Sequence, residues 1–157
     1  MNILFIEDDP MNRRVVKDML DVAGATMAEA GLAEEGLARI EYEEFDVVLM
    51  DLRMPGMDGM EAIRKIRARG DAKGELPIIV VTADTGVDLR EQCLEAGADD
   101  VLFKPVAMDA LFDSIGRVLA IRGGGGMILS AFLFLPREAG VGDRREAVVE
   151  GASPLAM

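Results

Sequence analysis

Five polar residues stand at the ends of short apolar runs, where the strands of a parallel sheet would finish. Glu7 and Asp8 follow NILFI, Asp51 follows VVLM, Thr82 closes IIVVT, and Lys104 follows VLF. In parallel sheets, ligands bind outside the carboxyl ends of the strands. These side chains are therefore predicted to converge at one edge of a sheet.

The chemistry expected of such a group is phosphoryl transfer assisted by a metal. Adjacent carboxylates repel each other by roughly 4 kcal/mol at an effective dielectric near 20, and a hard divalent cation removes that penalty. One or two carboxylates with several waters describe a Mg²⁺ site. Mg²⁺ and the ammonium of Lys104, both close to Asp51, would offset the charge of a phosphoryl group attached to that carboxylate.

Each of these residues also has a simpler interpretation. Asp8 or Asp9, which precede a proline, could cap a helix, and Asp51 could be a turn former. Thr82 could be an ordinary β-branched strand residue, and Lys104 a solvated charge. Their coincidence at four strand ends favours the phosphoryl site, with Asp9 predicted to be a helix cap rather than a ligand.

The elements that must position these residues alternate along the chain. Apolar runs predict strands at residues 3–6, 47–50, 78–81 and 101–103, with a weaker run at 25–28. Amphipathic segments predict helices at 11–22, 33–43, 59–68, 88–96 and 108–121, and glycines at 24, 70 and 97 are predicted to end three of them in a left-handed conformation. Five alternating pairs indicate an α/β fold with a parallel sheet covered on both faces.

Composition excludes several classes of protein. The chain has 17 Lys and Arg against 29 Asp and Glu, a net charge of -12, which argues against nucleic acid or an anionic membrane as the main partner. The single Cys93 excludes an intrachain disulfide, and the lack of histidine excludes imidazole catalysis. The strand-like NILFI at the N-terminus differs from a basic, apolar leader, so a cytoplasmic location is expected.

The alternating pattern ends at residue 122, which predicts one domain over residues 1–122. Residues 123–126 are four glycines with the composition of a flexible linker, followed by the apolar stretch MILSAFLFLP. That stretch is too short to span a membrane. The tail at 123–157 has no assigned role; it could dock on a sheet edge, swap into a neighbouring molecule to form a homodimer, pack on a helix face, or be a disordered extension.

The motifs resemble those of the receiver domain of two-component response regulators over about residues 1–122. The matching stretches are ILFIEDDPMNRR, VVLMDLRMPGMDG, PIIVVTA and AGADDVLFKP. The resemblance implies the flavodoxin-like receiver fold: a doubly wound, five-stranded parallel sheet in the order 2-1-3-4-5 with five helices. It also implies that the protein is a signalling protein rather than an enzyme. The signalling protein would promote its own Mg²⁺-dependent phosphorylation and dephosphorylation.

The resemblance also implies roles for individual residues. Asp51 would accept a phosphoryl group from a histidine kinase or a histidine phosphotransfer protein. Glu7 and Asp8 would form the acidic pair around Mg²⁺, with Asp8, Asp51 and the backbone carbonyl of Arg53 as direct ligands. Thr82 and Lys104 would contact the phosphoryl oxygens, the latter before a cis Pro105. Output would pass through protein-protein contacts, since the short tail shows no helix-turn-helix pattern.

Some positions depart from the family pattern or leave its consequences open. Val101 stands where the family usually has a Tyr or Phe that acts as a rotamer switch, so output is expected to depend more on the loop at residues 83–87. Arg53 and Asp84 lie two residues beyond Asp51 and Thr82, at positions that influence dephosphorylation in the family. Asp84 could orient an attacking water or repel it.

Two other classes of protein compete with the receiver. A haloacid-dehalogenase-like phosphohydrolase needs a second Asp two residues after the first, and that position is Arg53. A receiver-like binding module that acts without phosphorylation is the stronger alternative, because Val101 departs from the family pattern. The presence of all five polar residues at the strand ends argues against it.

Overall fold

A computed structural model describes residues 1–123. The predicted tail at 123–157 lies outside the described residues apart from Gly123, which belongs to a helical turn rather than to the linker, so the apolar stretch and the predicted homodimer stay predictions. The five strands are β1 (Asn2–Ile6), β2 (Thr26–Ala30), β3 (Val47–Met50), β4 (Ile78–Thr82) and β5 (Asp100–Phe103). The helices are α1 (Pro10–Val22), α2 (Ala33–Tyr42), α3 (Gly59–Arg67), α4 (Leu89–Ala96) and α5 (Met108–Val118).

The strands form one parallel sheet in the order β2-β1-β3-β4-β5, as the resemblance implied. The strand predicted at 25–28 lies slightly too early in the chain, because β2 has little apolar patterning and its first residue, Thr26, is exposed. A short 3-10 helix (Ala72–Glu75) precedes β4, and α5 continues into a π-helical turn (Leu119–Gly123).

The sheet separates two apolar layers, since successive side chains of a strand point to opposite faces. On one face, Phe5 and Leu49 pack with Leu20 of α1 and with Phe112 and Ile115 of α5. On the other face, alternate residues of the same strands pack with α2, α3 and α4, and the buried Val101 belongs to this layer. Phe103, two residues later, is 44% exposed at the edge of the sheet.

Two of the three predicted helix-ending glycines have the left-handed backbone that favours glycine. Gly24 has φ 74° after α1, and Gly97 has φ 121° after α4. The prediction for Gly70 was wrong: it has no positive φ, and α3 ends at Arg67 with Ala68 as a C-cap in right-handed backbone. Within residues 1–123, no helix has both the length and the apolar character that crossing a membrane requires.

Candidate functional site

Three carboxylates meet at the carboxyl edge of the sheet because β1 and β3 are neighbours that end in register. Ile6 pairs with Met50, so Glu7 and Asp51 leave adjacent strands at the same level. One carboxylate oxygen from each of Glu7, Asp8 and Asp51 lies within 4.8 Å of the others. Glu7 and Asp51 are buried, whereas Asp8 is exposed to solvent at the mouth of the site.

A single ammonium group serves the two buried carboxylates. The Nζ atom of Lys104, which follows β5, lies 2.6 Å from Oε1 of Glu7 and 3.5 Å from Oδ1 of Asp51. The peptide bond between Lys104 and Pro105 is cis, as expected from the resemblance. The lysine therefore forms its shorter contact with Glu7 and its longer one with the predicted phosphoacceptor.

The pKa of Asp51 reflects the excess of negative over positive charge around it. Burial and the negative charge of Glu7 raise the pKa of Asp51 to about 6, and Lys104 offsets only part of this effect. Burial works against the charge of Lys104, but its hydrogen bond to Glu7 and the charge of Asp51 raise the pKa of the ammonium. The site thus holds more negative than positive charge.

This arrangement fits a Mg²⁺ ion. Hard oxygen ligands converge from two adjacent strand ends, one carboxylate is open to water, and the buried pair lacks a second cation among the described residues. A bound divalent cation would relieve the repulsion that raises the pKa of Asp51. Mg²⁺ usually keeps several waters, which the exposed position of Asp8 allows.

Thr82 ends β4, one strand further along the sheet, and is buried. Its hydroxyl oxygen accepts a hydrogen bond from the backbone N–H of Asp84 at 3.1 Å. That contact leaves the hydroxyl hydrogen available for another acceptor. The structure therefore places Thr82 at the same edge as the acidic residues, with its side chain tied to the loop after β4.

Asp9 caps α1, as the sequence predicted. Its side chain accepts a hydrogen bond from the backbone N–H of Met11 at 2.9 Å, and Pro10 occupies the first helical position. Its own backbone N–H donates to Oε2 of Glu7 at 3.2 Å. Asp9 therefore helps to hold Glu7 and is not one of the three clustered carboxylates.

The loop after Asp51 depends on a close backbone approach at Gly59. A Cβ atom at Gly59 would lie 2.3 Å from the backbone oxygen of Asp51, a distance that real Cβ atoms do not reach. The backbone N–H of Gly59 donates to the carbonyl of Leu52 at 3.0 Å. The start of α3 is thus packed directly against the backbone of the predicted phosphoacceptor.

Sequence reasoning missed two contacts at this edge. Arg13 of α1 donates from Nη1 to the backbone carbonyl of Glu7 at 2.5 Å. Arg53 and Asp84 form an ion pair of 2.6 Å that joins the loops after β3 and β4. The sequence held a signal for the Arg13 contact. A cation near a helix N-terminus is unfavourable for the helix dipole, so a cation at that position indicates a role outside the helix.

Two curated proteins with similar sequences are larger than this chain. It is 38% identical over 121 residues to the C4-dicarboxylate transport transcriptional regulatory protein DctD of Pseudomonas aeruginosa, covering 76% of this chain and 25% of that protein. It is 37% identical over 111 residues to the sensor histidine kinase RcsC of Escherichia coli K12, covering 71% of this chain and 11% of the kinase. The chain thus spans a quarter or less of these two relatives.

Solved structures share its fold over nearly their whole length. The receiver domain of the sensor histidine kinase PA1611 from Pseudomonas aeruginosa, solved with a magnesium ion coordinated in its active site cleft, has a TM-score of 0.69 and 34% identity, covering 76% of this chain and 97% of that one. A CheY-like receiver domain protein from Methanospirillum hungatei has a TM-score of 0.69 and 32% identity, covering 76% and 94%.

The family match covers most of the chain. The response regulator receiver domain matches residues 3–116, a segment that contains β2 to β5, all of β1 except Asn2, and every residue placed at the site above. Sequence relatives and structural neighbours agree with that match over the same part of the chain. The chain therefore belongs to the response regulator receiver domain family.

Proposed function

We propose that the protein is a phosphoacceptor that carries its signal on Asp51. The observation that supports this most directly is the position of Asp51, a buried carboxylate at a strand end, within 3.5 Å of the Lys104 ammonium and beside two further acids. Such a group can act as a nucleophile once the negative charge around it is offset.

The transfer itself needs little more than positioning and charge. An oxygen of Asp51 forms a bond to phosphorus as the phosphorus-nitrogen bond of a phosphohistidine breaks, and the imidazole leaves with the electron pair of that bond. Lys104 contacts the phosphoryl oxygens as a point charge, and the Thr82 hydroxyl donates a hydrogen bond to one of them. The donor is a histidine kinase or a histidine phosphotransfer protein.

The metal set proposed for Mg²⁺ consists of Asp8, Asp51 and the backbone carbonyl of Arg53, with Glu7 completing the acidic pair. Bound Mg²⁺ supplies positive charge that offsets the charge of the phosphoryl group. Glu7 also holds Lys104 through the 2.6 Å ion pair, which keeps the ammonium beside Asp51.

Intact-mass spectrometry tests this function. With Mg²⁺ and acetyl phosphate, the wild type gains one phosphoryl group and Asp51→Asn gains none. Asp58→Asn is the matched control, since Asp58 caps α3 by accepting from the N–H of Glu61 at 2.9 Å and asparagine can do the same. An unmodified wild type with an intact fold by circular dichroism would contradict the proposal and leave the receiver-like binding module.

The Arg53–Asp84 ion pair is proposed to set the lifetime of the phosphoryl group. The pair joins the two loops that flank the site and lines two open clefts of about 530 and 640 Å³. Breaking the pair opens the approach for water, so Arg53→Ala and Asp84→Asn both shorten the lifetime. Opposite effects of the two variants would instead mean that Asp84 acts on the water itself.

The partner that donates the phosphoryl group can be identified by a direct screen. Phosphotransfer profiling against the histidine kinases and phosphotransfer proteins of the source organism would reveal the preferred donor. A donor that exchanges with the wild type and not with Asp51→Asn would support the proposed role. Transfer to both proteins would place the acceptor elsewhere.

A further inference from the structure

The backbone on both sides of Glu7 is held from outside the acidic cluster. The N–H of Glu7 donates to the carbonyl of Ala30 on β2 at 2.9 Å. The carbonyl of Glu7 accepts from Nη1 of Arg13 at 2.5 Å, and the Arg13 side chain is only 19% exposed. Because a peptide unit is planar, the position of this carbonyl also orients the N–H and Cα of Asp8.

Asp8 depends on this backbone support more than the other two acids do. Glu7 is fixed by its ion pair with Lys104 and Asp51 by its place at the end of a buried strand. Among residues 1–123, no hydrogen bond or ion pair to the exposed carboxylate of Asp8 is found. Among these residues, only the backbone that carries Asp8 fixes where its side chain begins.

Arg13 brings its own counterion. Its Nε donates to Oε1 of Glu29 on β2 at 2.8 Å, and the carbonyl of Glu29 accepts from Nη1 of Arg39 at 3.0 Å. Without Glu29, a bare guanidinium would sit one peptide away from a site that attracts cations, and it would oppose Mg²⁺ binding. The ion pair lets Arg13 serve as a hydrogen-bond donor with its charge offset.

We infer that Arg13 is a positioning residue for the metal site, holding the Glu7 carbonyl so that Asp8 faces the cation, and that Glu29 neutralises it. The inference rests on the proposed function, in which Asp8 and Asp51 bind Mg²⁺. Residues that orient metal ligands from outside typically change metal affinity by about 10–100-fold when they are replaced.

The test measures Mg²⁺ affinity by isothermal titration calorimetry in the full chain. Arg13→Met weakens Mg²⁺ binding by about tenfold, and Arg13→Lys restores part of the affinity because lysine can still donate to the carbonyl. Glu29→Gln weakens binding mainly at low salt, since the uncompensated charge of Arg13 is then least screened. The matched control is Arg14→Met on the same helix, where Arg14 is 74% exposed and pairs with Asp18; it binds Mg²⁺ like the wild type.

Two further readouts separate positioning from general damage. In the metal-free protein, the Asp8 amide exchanges faster with solvent in Arg13→Met than in the wild type, while β3 amides are unchanged. With acetyl phosphate, the variant needs more Mg²⁺ for half-maximal phosphorylation but reaches a similar rate at saturation. If Arg13→Met does not fold, the salt-dependent loss in Glu29→Gln and the partial loss in Arg13→Lys decide the question.

The inference and the proposed function fail in different ways. Wild-type Mg²⁺ affinity in Arg13→Met, with an unchanged Asp8 amide, overturns the role of Arg13 and leaves phosphorylation of Asp51 intact. A wild-type protein that binds no Mg²⁺ overturns both. A loss of affinity in Arg14→Met equal to that in Arg13→Met also overturns the inference, because the effect would then follow from any cation on α1.

Discussion

The two edges of the sheet hold the same kinds of charged residue in opposite balance. At the carboxyl edge, Glu7 and Asp51 share the single ammonium of Lys104, and Asp8 adds a third carboxylate to the cluster. At the amino edge, Asp99 alone accepts hydrogen bonds from two guanidinium groups, those of Arg67 and Arg122, and from the N–H of Ile78.

The acidity of two buried aspartates shows what this difference means. Burial and the negative charge of Glu7 together raise the pKa of Asp51 to about 6. Burial alone would also raise the pKa of Asp100, at the start of β5, but hydrogen bonds from Ser114, the N–H of Val101 and Arg117 lower it. Similar burial thus gives opposite shifts, and the donors supplied by the fold decide the sign.

The comparison separates a structural cluster from a functional one. At the amino edge the clustered charges have partners within the fold, so the cluster needs no ligand and the removal of one partner destabilises the domain. At the carboxyl edge the fold leaves negative charge without a partner, which costs stability until a cation binds. Removing a charge at the amino edge is therefore expected to lower the free energy of unfolding, and removing a carboxylate charge at the carboxyl edge is expected to raise it.

The largest effect is expected for Arg67→Met at the amino edge. Arg67 is 15% exposed and donates to Asp99 and to three backbone carbonyls, those of Gly74, Leu76 and Gly97. Removing it leaves a buried charge and buried carbonyls without this donor, which lowers the free energy of unfolding by about 3–5 kcal/mol. Urea denaturation measures the loss.

The control for that variant is Arg64→Met, an exposed residue one turn earlier on α3. It is expected to change the free energy of unfolding by less than about 0.5 kcal/mol. Equal losses in the two variants would mean that the amino-edge network adds nothing beyond the helix itself.

The next largest effect, of opposite sign, is expected for Asp51→Asn without Mg²⁺. Folding raises the pKa of Asp51 from 3.8 to about 6, so its contribution to stability is fully present below pH 3.8 and is lost as the pH rises through 6. At pH 7 the loss corresponds to about 3 kcal/mol. Asparagine carries no charge, so Asp51→Asn avoids this loss and is more stable than the wild type at pH 7. Thermal unfolding at pH 7 measures the difference.

Asp100→Asn provides the matched contrast. Folding lowers the pKa of Asp100, so its stabilising contribution is present at pH 7 and is lost as the pH falls through the folded pKa. Its amide variant is therefore less stable than the wild type at pH 7. Stabilisation by both amide variants, or by neither, would break the contrast between the two edges.

Mg²⁺ is expected to raise the free energy of unfolding by a slightly smaller amount, through the carboxyl edge only. At a free concentration of 100 times its dissociation constant, a ligand of the folded state adds about 2.7 kcal/mol. This gain appears in the wild type and in Asp100→Asn, and it is much reduced in Asp8→Asn. Differential scanning calorimetry measures the shift in Tm, and a full shift in Asp8→Asn would exclude that residue as a ligand.

The smallest effect on stability is expected for Arg53→Ala. Its ion pair with Asp84 is short, but Arg53 is 77% exposed, and exposed pairs contribute at most about 1 kcal/mol. Urea denaturation should therefore hardly distinguish the variant from the wild type, in contrast to Arg67→Met. A loss as large as that of Arg67→Met would mean that the pair at the carboxyl edge is structural rather than functional.

Much of the site could be predicted from the sequence because its parts are local. Glu7, Asp51, Thr82 and Lys104 were assigned to strand ends from the apolar runs that precede them, and strands of one parallel sheet end at a common edge. The helix cap at Asp9 follows from its place before Pro10. Boundaries were less secure where the pattern is weak, as in β2, and Gly70 shows that a glycine near a helix end need not adopt a left-handed backbone.

The sequence by itself determined which charges the protein has and at which strand ends they stand. Only the tertiary structure decided which of them are satisfied: it brought Lys104 to Glu7 across 97 positions, placed Arg13 on the Glu7 carbonyl and packed Gly59 against the Asp51 backbone. The physical reason is that burial and hydrogen-bond partners, which fix the acidity and direction of a carboxylate, arise from segments far apart in the chain.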